Sequence, residues 1–327
     1  MATVSRPLAA AFALVLPACA SVSGGGEPPL YVDGTAHPGI DAIDFDDDSE
    51  VFVSGGWEGR LTLWNTDEPG AIRSWVAHEG WVQGVAFVDR RFIASGGYDG
   101  AIRLWDRHGQ QRSSVDAGAP VTRMRVMGSQ IVTGHADGAV RIWDARTLDR
   151  LDEFAVHEKD WVVAIAVHEP SGRIASSGSG GNVYLLGLGR TPRALATPRR
   201  KAFGLSFAPD GETLYGSGFR LLYRWRLNGR GDAQLSDVTT PHWGTINGLQ
   251  YIPHLELIAS VSRTNDSSIL LLDPESGAGV RKLQRLGLCA TELAVSDDGR
   301  FLASAGEDGP LRLWQLDRAG PQQTASN

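Results

Sequence analysis

Residues 95–106 read SGGYDGAIRLWD, and a closely similar phrase returns at residues 133–144 as TGHADGAVRIWD. Weaker copies occupy residues 54–65 and 304–315. In each copy an Asp-Gly or Glu-Gly pair separates two short apolar segments, and a tryptophan lies near the end. This pattern predicts a strand, a tight turn and a second strand. Because the unit recurs along the chain, we expect a stacked or circular array of similar sheets rather than one conventional core.

The spacing of the repeats gives their number. Five tryptophans mark the repeat position: Trp64, Trp105, Trp143, Trp225 and Trp314. The intervals between them are 41, 38, 82 and 89 residues, so each of the last two spans two units. Apolar runs without tryptophan occupy the two skipped positions, at residues 183–186 and 269–272. The sequence therefore predicts seven units.

The joint recurrence of turn, strand and tryptophan resembles the WD-repeat family of β-propellers, over residues 30–316. The resemblance implies an all-β fold, a seven-bladed propeller with four strands in each blade. The seventh unit ends after its third strand, at residues 314–316. In this family an N-terminal strand commonly completes the last blade, and residues 30–32 are the candidate. Such a closure would leave no long unpaired strand edge.

The N-terminal segment lies outside the repeats. Its apolar run at residues 8–16 is too short to span a bilayer but has the length of a signal-peptide core. The Leu-Pro-Ala-Cys sequence at residues 16–19 resembles the bacterial lipoprotein processing box, which implies lipidation of Cys19. We therefore expect four regions: a signal peptide (1–18), a lipid-anchored flexible tether (19–29), the propeller (30–316) and a polar C-terminal tail (317–327).

The lipoprotein resemblance also implies a location. No acidic residue directly follows Cys19, and this favours the periplasmic side of the bacterial outer membrane, with membrane contact only through the lipid. Two alternatives stay open: a soluble secreted or periplasmic protein, or a cytoplasmic WD-repeat adaptor with a misassigned start. If Cys19 carries lipid, the other cysteine, Cys289, has no disulfide partner in the chain, and its apolar surroundings predict a buried packing residue.

The WD-repeat resemblance further implies a buried tetrad made of a His, a Ser or Thr, an Asp and the repeat tryptophan. Only the second unit has all four, as His78, Ser95, Asp99 and Trp105. Because buried polar groups are costly when unpaired, we interpret this tetrad as structural and not as part of a catalytic site. Other units are incomplete, which predicts blades of unequal stability.

The chain contains aromatic residues in addition to the repeat tryptophans. Trp81, Trp161 and Trp243 lie where first strands begin, and Trp57 and Tyr98 lie in turns expected at the same rim. In the WD-repeat family that rim is the usual protein-binding surface, and Tyr and Trp dominate binding hot spots. The alternative is that each ring simply packs against its neighbour. We predict that these five residues bind a protein partner.

Composition and motifs narrow the function classes. The net charge of −7 argues against a general nucleic-acid binder. No catalytic motif, cofactor motif or metal-ligand spacing is recognisable, and the acidic run 44–50 is interpreted as a solvated turn. The sequence therefore predicts a monomeric, non-catalytic interaction scaffold without a cofactor. A propeller enzyme or small-ligand binder remains the alternative, with candidate residues at the channel mouth: His135, Arg220, Arg263 and Asn265.

Overall fold

The computed structural model describes residues 25–34, 37–196, 201–227, 233–263, 266–287 and 289–316. These residues form seven four-stranded sheets, each antiparallel throughout. The predicted all-β, seven-bladed propeller is confirmed. Within the described residues, no helix is long and apolar enough to cross a membrane.

The first strand of the chain, β1 (Tyr31–Asp33), belongs to the last blade. Blades 1 and 2, from the channel outward, consist of β2 (Ile40–Phe45), β3 (Val51–Gly56), β4 (Arg60–Asn65) and β5 (Ala71–Val76), then β6 (Val82–Phe87), β7 (Phe92–Gly97), β8 (Ala101–Asp106) and β9 (Gln111–Asp116). Blades 3 and 4 consist of β10 (Val121–Met127), β11 (Gln130–His135), β12 (Ala139–Asp144) and β13 (Arg150–Ala155), then β14 (Val162–His168), β15 (Arg173–Gly178), β16 (Val183–Leu186) and β17 (Arg193–Ala194).

Blades 5 and 6 follow the same order. They consist of β18 (Gly204–Phe207), β19 (Thr213–Ser217), β20 (Leu221–Leu227) and β21 (Ala233–Thr239), then β22 (Ile246–Ile252), β23 (Leu257–Ser262), β24 (Ile269–Leu272) and β25 (Gly279–Leu283). Blade 7 consists of β26 (Ala290–Val295), β27 (Phe301–Gly306), β28 (Leu311–Gln315) and, at its outer edge, β1. Two short 3-10 turns, Glu169–Ser171 and Pro253–Leu255, connect first and second strands in blades 4 and 6.

The first strands form the wall of a central channel. Each contacts the first strand of the next blade, from β2 through β6, β10, β14, β18 and β22 to β26, and β26 contacts β2 again. The ring is therefore closed. All first strands run in the same direction along the channel, so the loops that precede them lie at one end of the ring. The turns between second and third strands lie at that same end, which we call the upper rim.

The N-terminal strand closes the ring as expected. Tyr31 pairs with Leu313 and Asp33 pairs with Leu311, while the Tyr31 hydroxyl donates to the Asn65 carbonyl in blade 1 over 2.7 Å. The predicted flexible tether covers 19–29, of which the structure describes 25–29. There Glu27 exchanges backbone hydrogen bonds with blade 6 and its carboxylate pairs with Arg281. The chain is thus attached to the propeller before residue 30.

Two glycines in the repeat have distinct steric reasons. A Cβ on Gly96 in β7 would lie 2.5 Å from a methyl carbon of Val121, so only glycine lets the next blade approach this closely. Gly100 in the following turn has φ +78°, a left-handed conformation that side chains other than glycine rarely adopt. The equivalent glycines recur in blades 1 and 3, which explains why the Gly-Gly and Asp-Gly pairs recur in the sequence.

The hydrophobic core lies between blades rather than inside one of them. In one cluster Val53 and Leu63 of blade 1 pack with Val85, Ile93 and Trp105 of blade 2. Comparable clusters combine residues of blades 6 and 7 and of blades 7 and 1. Each blade is therefore stabilised by its neighbours, and the closure at β1 completes the last of these interfaces.

Candidate partner-binding surface

Backbone hydrogen bonds hold the rim aromatics at the upper rim. The Tyr98 amide donates to the Trp81 carbonyl over 2.8 Å, and the Ser179 amide donates to the Trp161 carbonyl over 2.8 Å. In blade 1 the Trp57 amide donates to the Gly39 carbonyl over 3.1 Å. Each bond joins the turn between second and third strands to the loop before the first strand. The two segments that carry the aromatics are therefore fixed to one another.

Three of the predicted residues form a continuous stack across blades 1 and 2, the aromatic ladder of Trp57, Trp81 and Tyr98. The Trp57 and Trp81 rings are stacked with centroids 5.7 Å apart, and Tyr98 is tilted against Trp81 at 6.1 Å. Trp81 and Tyr98 are 48% and 46% exposed. The Trp57 indole N–H donates to Asp41 over 2.9 Å, so the ladder is fixed at one end while its outer faces remain in solvent.

Trp161 and Trp243 lie at the same rim but away from the ladder. Trp161 is 53% exposed, and within the described residues no aromatic ring or guanidinium packs on it. Trp243 is 67% exposed, yet the Arg220 guanidinium lies 5.0 Å from its ring centroid. The structure therefore places all five predicted residues at one end of the ring, in three separate groups.

The predicted tetrad of blade 2 is brought together. His78 bonds Asp99 through Nδ1 over 2.9 Å and Ser95 through Nε2 over 2.7 Å. The Trp105 indole donates to the same Ser95 oxygen over 2.8 Å, and Arg103 donates to Asp99 over 2.8 Å. Every polar atom that the tetrad buries therefore has a partner, which is the expected condition of a structural network.

The burial and hydrogen bonds of the tetrad shift the pKa values of His78 and Asp99. Burial lowers the pKa of His78, although the Asp99 carboxylate opposes the shift. Burial alone would raise the pKa of Asp99, but the hydrogen bonds from Arg103 and His78 outweigh it and lower that pKa to about 2. The low pKa keeps Asp99 ionised at pH 7, and the lowered pKa of His78 favours its neutral form. His78 is buried, whereas Asp99 lies in an exposed turn with its carboxylate bonded to His78 and Arg103.

Blade 1 forms the same arrangement with one substitution. His37 bonds Ser54 and Glu58, each over 3.0 Å, and the Trp64 indole donates to Ser54 over 2.8 Å. Glutamate therefore replaces aspartate in the turn without loss of the connection. Burial lowers the pKa of His37, as in blade 2.

Blade 3 obtains its imidazole from a different position. Ala117 occupies the loop position of the histidine, and His135 of β11 bonds Thr133 over 2.7 Å instead. The Trp143 indole donates to Thr133 over 2.8 Å. His135 stands where blades 1 and 2 have Gly56 and Gly97, whose missing side chains leave room for the loop histidine. The sequence signal for this exchange is the histidine that replaces a glycine of the repeat; His135 therefore belongs to the blade 3 network and not to the channel mouth, where it was expected.

The four repeats detected by their sequence coincide with the blades just described. The family model for "WD domain, G-beta repeat" matches residues 29–65, 70–106, 116–144 and 288–315. These segments include the first three strands of blades 1, 2, 3 and 7. The chain contains WD40 repeats.

Two known proteins are similar to most of this chain at low identity, and another is similar to a shorter stretch at higher identity. Human striatin-4 is 24% identical over 313 residues, an alignment that covers 88% of this chain and 37% of striatin-4. An F-box/WD-40 repeat-containing protein of Arabidopsis thaliana is 23% identical over 315 residues, 83% of this chain and 48% of that protein. Nuclear distribution protein PAC1 of Arthroderma otae is 37% identical over 62 residues, 19% of this chain and 13% of PAC1. The chain spans less than half the length of each relative.

Blades 4 and 6 contain partial networks. His157 bonds Ser176 over 2.9 Å through Nε2, while its Nδ1 is buried without a partner among the described residues. In blade 6, His242 bonds Ser260 and Ser268, each over 2.9 Å, and lies 3.4 Å from Asp266. Sequence analysis missed the blade 6 network because the repeat there lacks tryptophan and has a longer turn.

Blades 5 and 7 use backbone carbonyls to satisfy their tryptophans. The Trp225 indole donates to the Ala196 carbonyl over 2.8 Å. The Trp314 indole donates to the Glu27 carbonyl over 3.1 Å, while Ser304 donates to the Glu292 carbonyl. The N-terminal segment thus supplies in blade 7 what the Ser or Thr supplies in blades 1 to 3.

The alternative site at the channel mouth does not assemble among the residues that the structure describes. His135 is buried in blade 3, Arg220 lies over Trp243, and Arg263 pairs with Glu307 over 2.5 Å. Asn265 lies outside the described residues. These side chains are committed to separate partners and do not converge on one point.

The opposite end of the channel holds a cavity of about 400 Å³, lined in part by Asp44, Asp47, Arg125 and Asp297. Burial raises the pKa of Asp44 to about 7, and its carboxylate accepts the Phe87 amide over 2.8 Å. Nowhere in the described ranges do three His, Cys, Asp or Glu side chains lie in an arrangement that could hold a metal ion.

Cys289 is buried, as expected of a packing residue. It is however disulfide-bonded. The expectation that Cys289 has no disulfide partner applies only if Cys19, the only other cysteine in the sequence, carries lipid. Cys19, the signal peptide (1–18) and the tail (317–327) lie outside the described residues.

Proposed function

We propose that this chain is a non-catalytic scaffold that binds a protein partner on its upper rim. The observation that carries the proposal is the aromatic ladder, in which Trp81 and Tyr98 expose large rigid rings beside a Trp57 that is fixed by Asp41. Rigid aromatic rings offer contact area at little cost in conformational entropy. The four WD40 repeat matches, together with the similarity to striatin-4 and to nuclear distribution protein PAC1, support an interaction role.

The geometry favours recognition over catalysis. The histidines of blades 1 to 3 each bond a Ser or Thr within their blade, and their role in the blade accounts for their presence. Trp81, Tyr98 and Trp161, by contrast, contribute little to the core because about half of their surface is in water. These rings are therefore available to contact another molecule and are held in place before it binds, as expected of a preorganised binding surface.

The test is site-specific photo-crosslinking in cells that produce the protein. A benzophenone amino acid at Trp81 or Trp161 should give a discrete crosslinked species, which mass spectrometry identifies. The matched control carries the same group at Ile72, an exposed residue near the lower end of the outermost strand of blade 1. The identified partner is then purified, and Trp81→Ala and Trp161→Ala should weaken its binding while the melting temperature stays within a few degrees of wild type. Equal crosslinking from Ile72, or binding unaffected by both substitutions, would disprove the rim as the interface.

We further propose that the scaffold is exported and anchored through lipid on Cys19, at the periplasmic side of the outer membrane. The support is the processing box at residues 16–19 and the apolar run before it. A thioether at Cys19 would exclude a disulfide between this residue and Cys289, because one sulfur cannot form both bonds. Mass spectrometry of the N-terminal peptide, before and after reduction, separates the two.

A diacylglyceryl mass on residue 19 supports the lipoprotein. Cleavage near residue 19 without lipid indicates the soluble periplasmic alternative, and an intact Met1 indicates the cytoplasmic adaptor. Either of the last two results would overturn the anchored form and leave the rim proposal unaffected.

A further inference from the structure

The rim divides into two arcs of different charge. The loops and turns of the upper rim in blades 1 to 4 contain six acidic residues and one lysine: Glu58, Glu79, Asp99, Asp137, Glu158, Asp160 and Lys159. We call this part the acidic arc. The corresponding segments of blades 5 to 7 contain, within the described residues, four cations and three acids: Lys201, Arg220, Arg263, Arg285, Asp266, Glu307 and Asp308.

Not all of the acidic arc is neutralised from within. Asp99 pairs with Arg103, and Asp137 pairs with Arg141. Glu79 and Glu158 are exposed, and across the described parts of the chain neither has an arginine or lysine at ion-pair distance. These two carboxylates lie in the loops that lead to Trp81 and Trp161, so uncompensated negative charge accompanies the exposed rings.

In blades 5 to 7, one rim tryptophan is packed against an arginine of the same chain. Arg220 places its guanidinium 5.0 Å from the ring centroid of Trp243. Its backbone has φ +61°, which is uncommon for a residue other than glycine, and its amide donates to the Gly244 carbonyl over 3.1 Å. The fold thus holds an arginine against this ring. In the described residues no guanidinium lies over Trp81 or Trp161.

We infer that the partner docks through a basic, arginine-containing segment that lies along the acidic arc. Its guanidinium groups pack on Trp81 and Trp161, as Arg220 packs on Trp243, and Glu79 and Glu158 pair with them. Aromatic faces attract cations, and adjacent carboxylates strengthen that attraction. This inference rests on the proposed function, because it names the partner chemistry of the same surface. An acidic or wholly apolar partner would leave the two carboxylates repelled or desolvated without compensation.

A peptide probe tests the inference with the intact protein. Fluorescence anisotropy compares three labelled peptides with Gly-Ser spacers, carrying three arginines, three lysines or three glutamates. We expect the arginine peptide to bind most tightly and the glutamate peptide not at all, with affinity that falls as salt rises. Trp81→Ala and Trp161→Ala should each weaken arginine-peptide binding by about fivefold. Val280→Ala, a control at an exposed residue of the outermost strand of blade 6, should leave it unchanged.

A separate double variant tests the contribution of the two exposed carboxylates. Glu79→Gln combined with Glu158→Gln changes two exposed side chains and should reduce affinity for the arginine peptide by about fourfold. Retained binding in this double variant, a preference for the glutamate peptide, or equal loss in Val280→Ala would each overturn the inference. A crosslinked partner that binds this double variant normally would end the basic-segment inference but leave the scaffold proposal in place. If the arginine peptide binds but no partner is crosslinked from Trp81, the scaffold proposal fails while the preference of the surface for arginine stands.

Discussion

Blades 2 and 4 have the same strand order and a histidine before the first strand, but they differ in how completely the polar atoms of that histidine are hydrogen-bonded. In blade 2, His78 uses both ring nitrogens, and Ser95 also accepts from Trp105. In blade 4, His157 uses one nitrogen, Leu186 occupies the tryptophan position and Gly180 occupies that of Asp99. The histidine alone therefore does not define the network; the residues that bond it decide how strongly it holds the blade.

The space left by the missing turn aspartate is occupied by another carboxylate. A Cβ built on Gly180 would lie 2.0 Å from an oxygen of Asp160, which bonds Ser179 over 3.0 Å. The Asp160 amide donates to the His157 carbonyl over 2.8 Å, but within the described residues no side-chain bond joins the two, and the His157 Nδ1 has no partner there. Asp160 therefore occupies the space of the turn aspartate without bonding the histidine. We expect blade 4 to be the less stable of the two blades.

The largest expected difference between the blades comes from their serines. Ser95→Ala leaves both the Trp105 N–H and the His78 Nε2 unpaired, so we expect a loss of about 2–4 kcal/mol in the free energy of unfolding. Ser176→Ala orphans only the His157 Nε2 and should cost about 1–2 kcal/mol. Urea unfolding of the two variants measures the difference. Equal losses would show that the tryptophan bond adds nothing to the blade 2 network.

A second difference should appear as pH dependence. Burial lowers the pKa of His157 to about 4, against roughly 6.5 in an unfolded chain. As pH falls from 7 to 5 the unfolded state binds a proton that the folded state does not, so stability decreases with acid, by about 1–2 kcal/mol for this residue. His157→Gln, which can still bond Ser176, should flatten that slope in urea midpoints measured at several pH values.

His78→Gln provides the matched comparison for this titration. Burial also lowers the pKa of His78, but the Asp99 carboxylate opposes the effect. Its substitution should therefore flatten the slope between pH 7 and 5 less than His157→Gln does. A larger effect at His78 would contradict the view that an absent carboxylate distinguishes blade 4.

The repeat sequence predicted the fold well because its signals are local. Turn glycines, alternating strands and the tryptophan spacing gave seven blades, and the missing fourth strand of the last unit indicated the closure by β1. Gly96 shows why these signals are reliable, since a single Cβ there would collide with the next blade.

The site was less predictable because it depends on contacts between units. The sequence placed Trp57, Trp81 and Tyr98 at one rim, but their stacking across blades 1 and 2 required the geometry of the ring. The exchange of Ala117 and His135 in blade 3 escaped notice because the imidazole enters from another strand. The role of the Glu27 carbonyl on Trp314 is a contact between residues 287 positions apart, which no repeat pattern contains.

The smallest expected difference concerns the two carboxylates. Asp99→Asn removes an anion that bonds both His78 and Arg103, and we expect a loss of about 1 kcal/mol at pH 7. Asp160→Asn removes a carboxylate that bonds Ser179 but not His157, so its cost should be about 0.5 kcal/mol or less. Urea unfolding at pH 7 compares the two. The folded-state pKa of Asp99 is about 2, below its value of about 3.9 in an unfolded chain, so its contribution is present above pH 4 and lost as pH falls toward 2. If Asp160→Asn were as costly as Asp99→Asn, the carboxylate of blade 4 would be a working member of its network, and the two blades would differ only in their tryptophan.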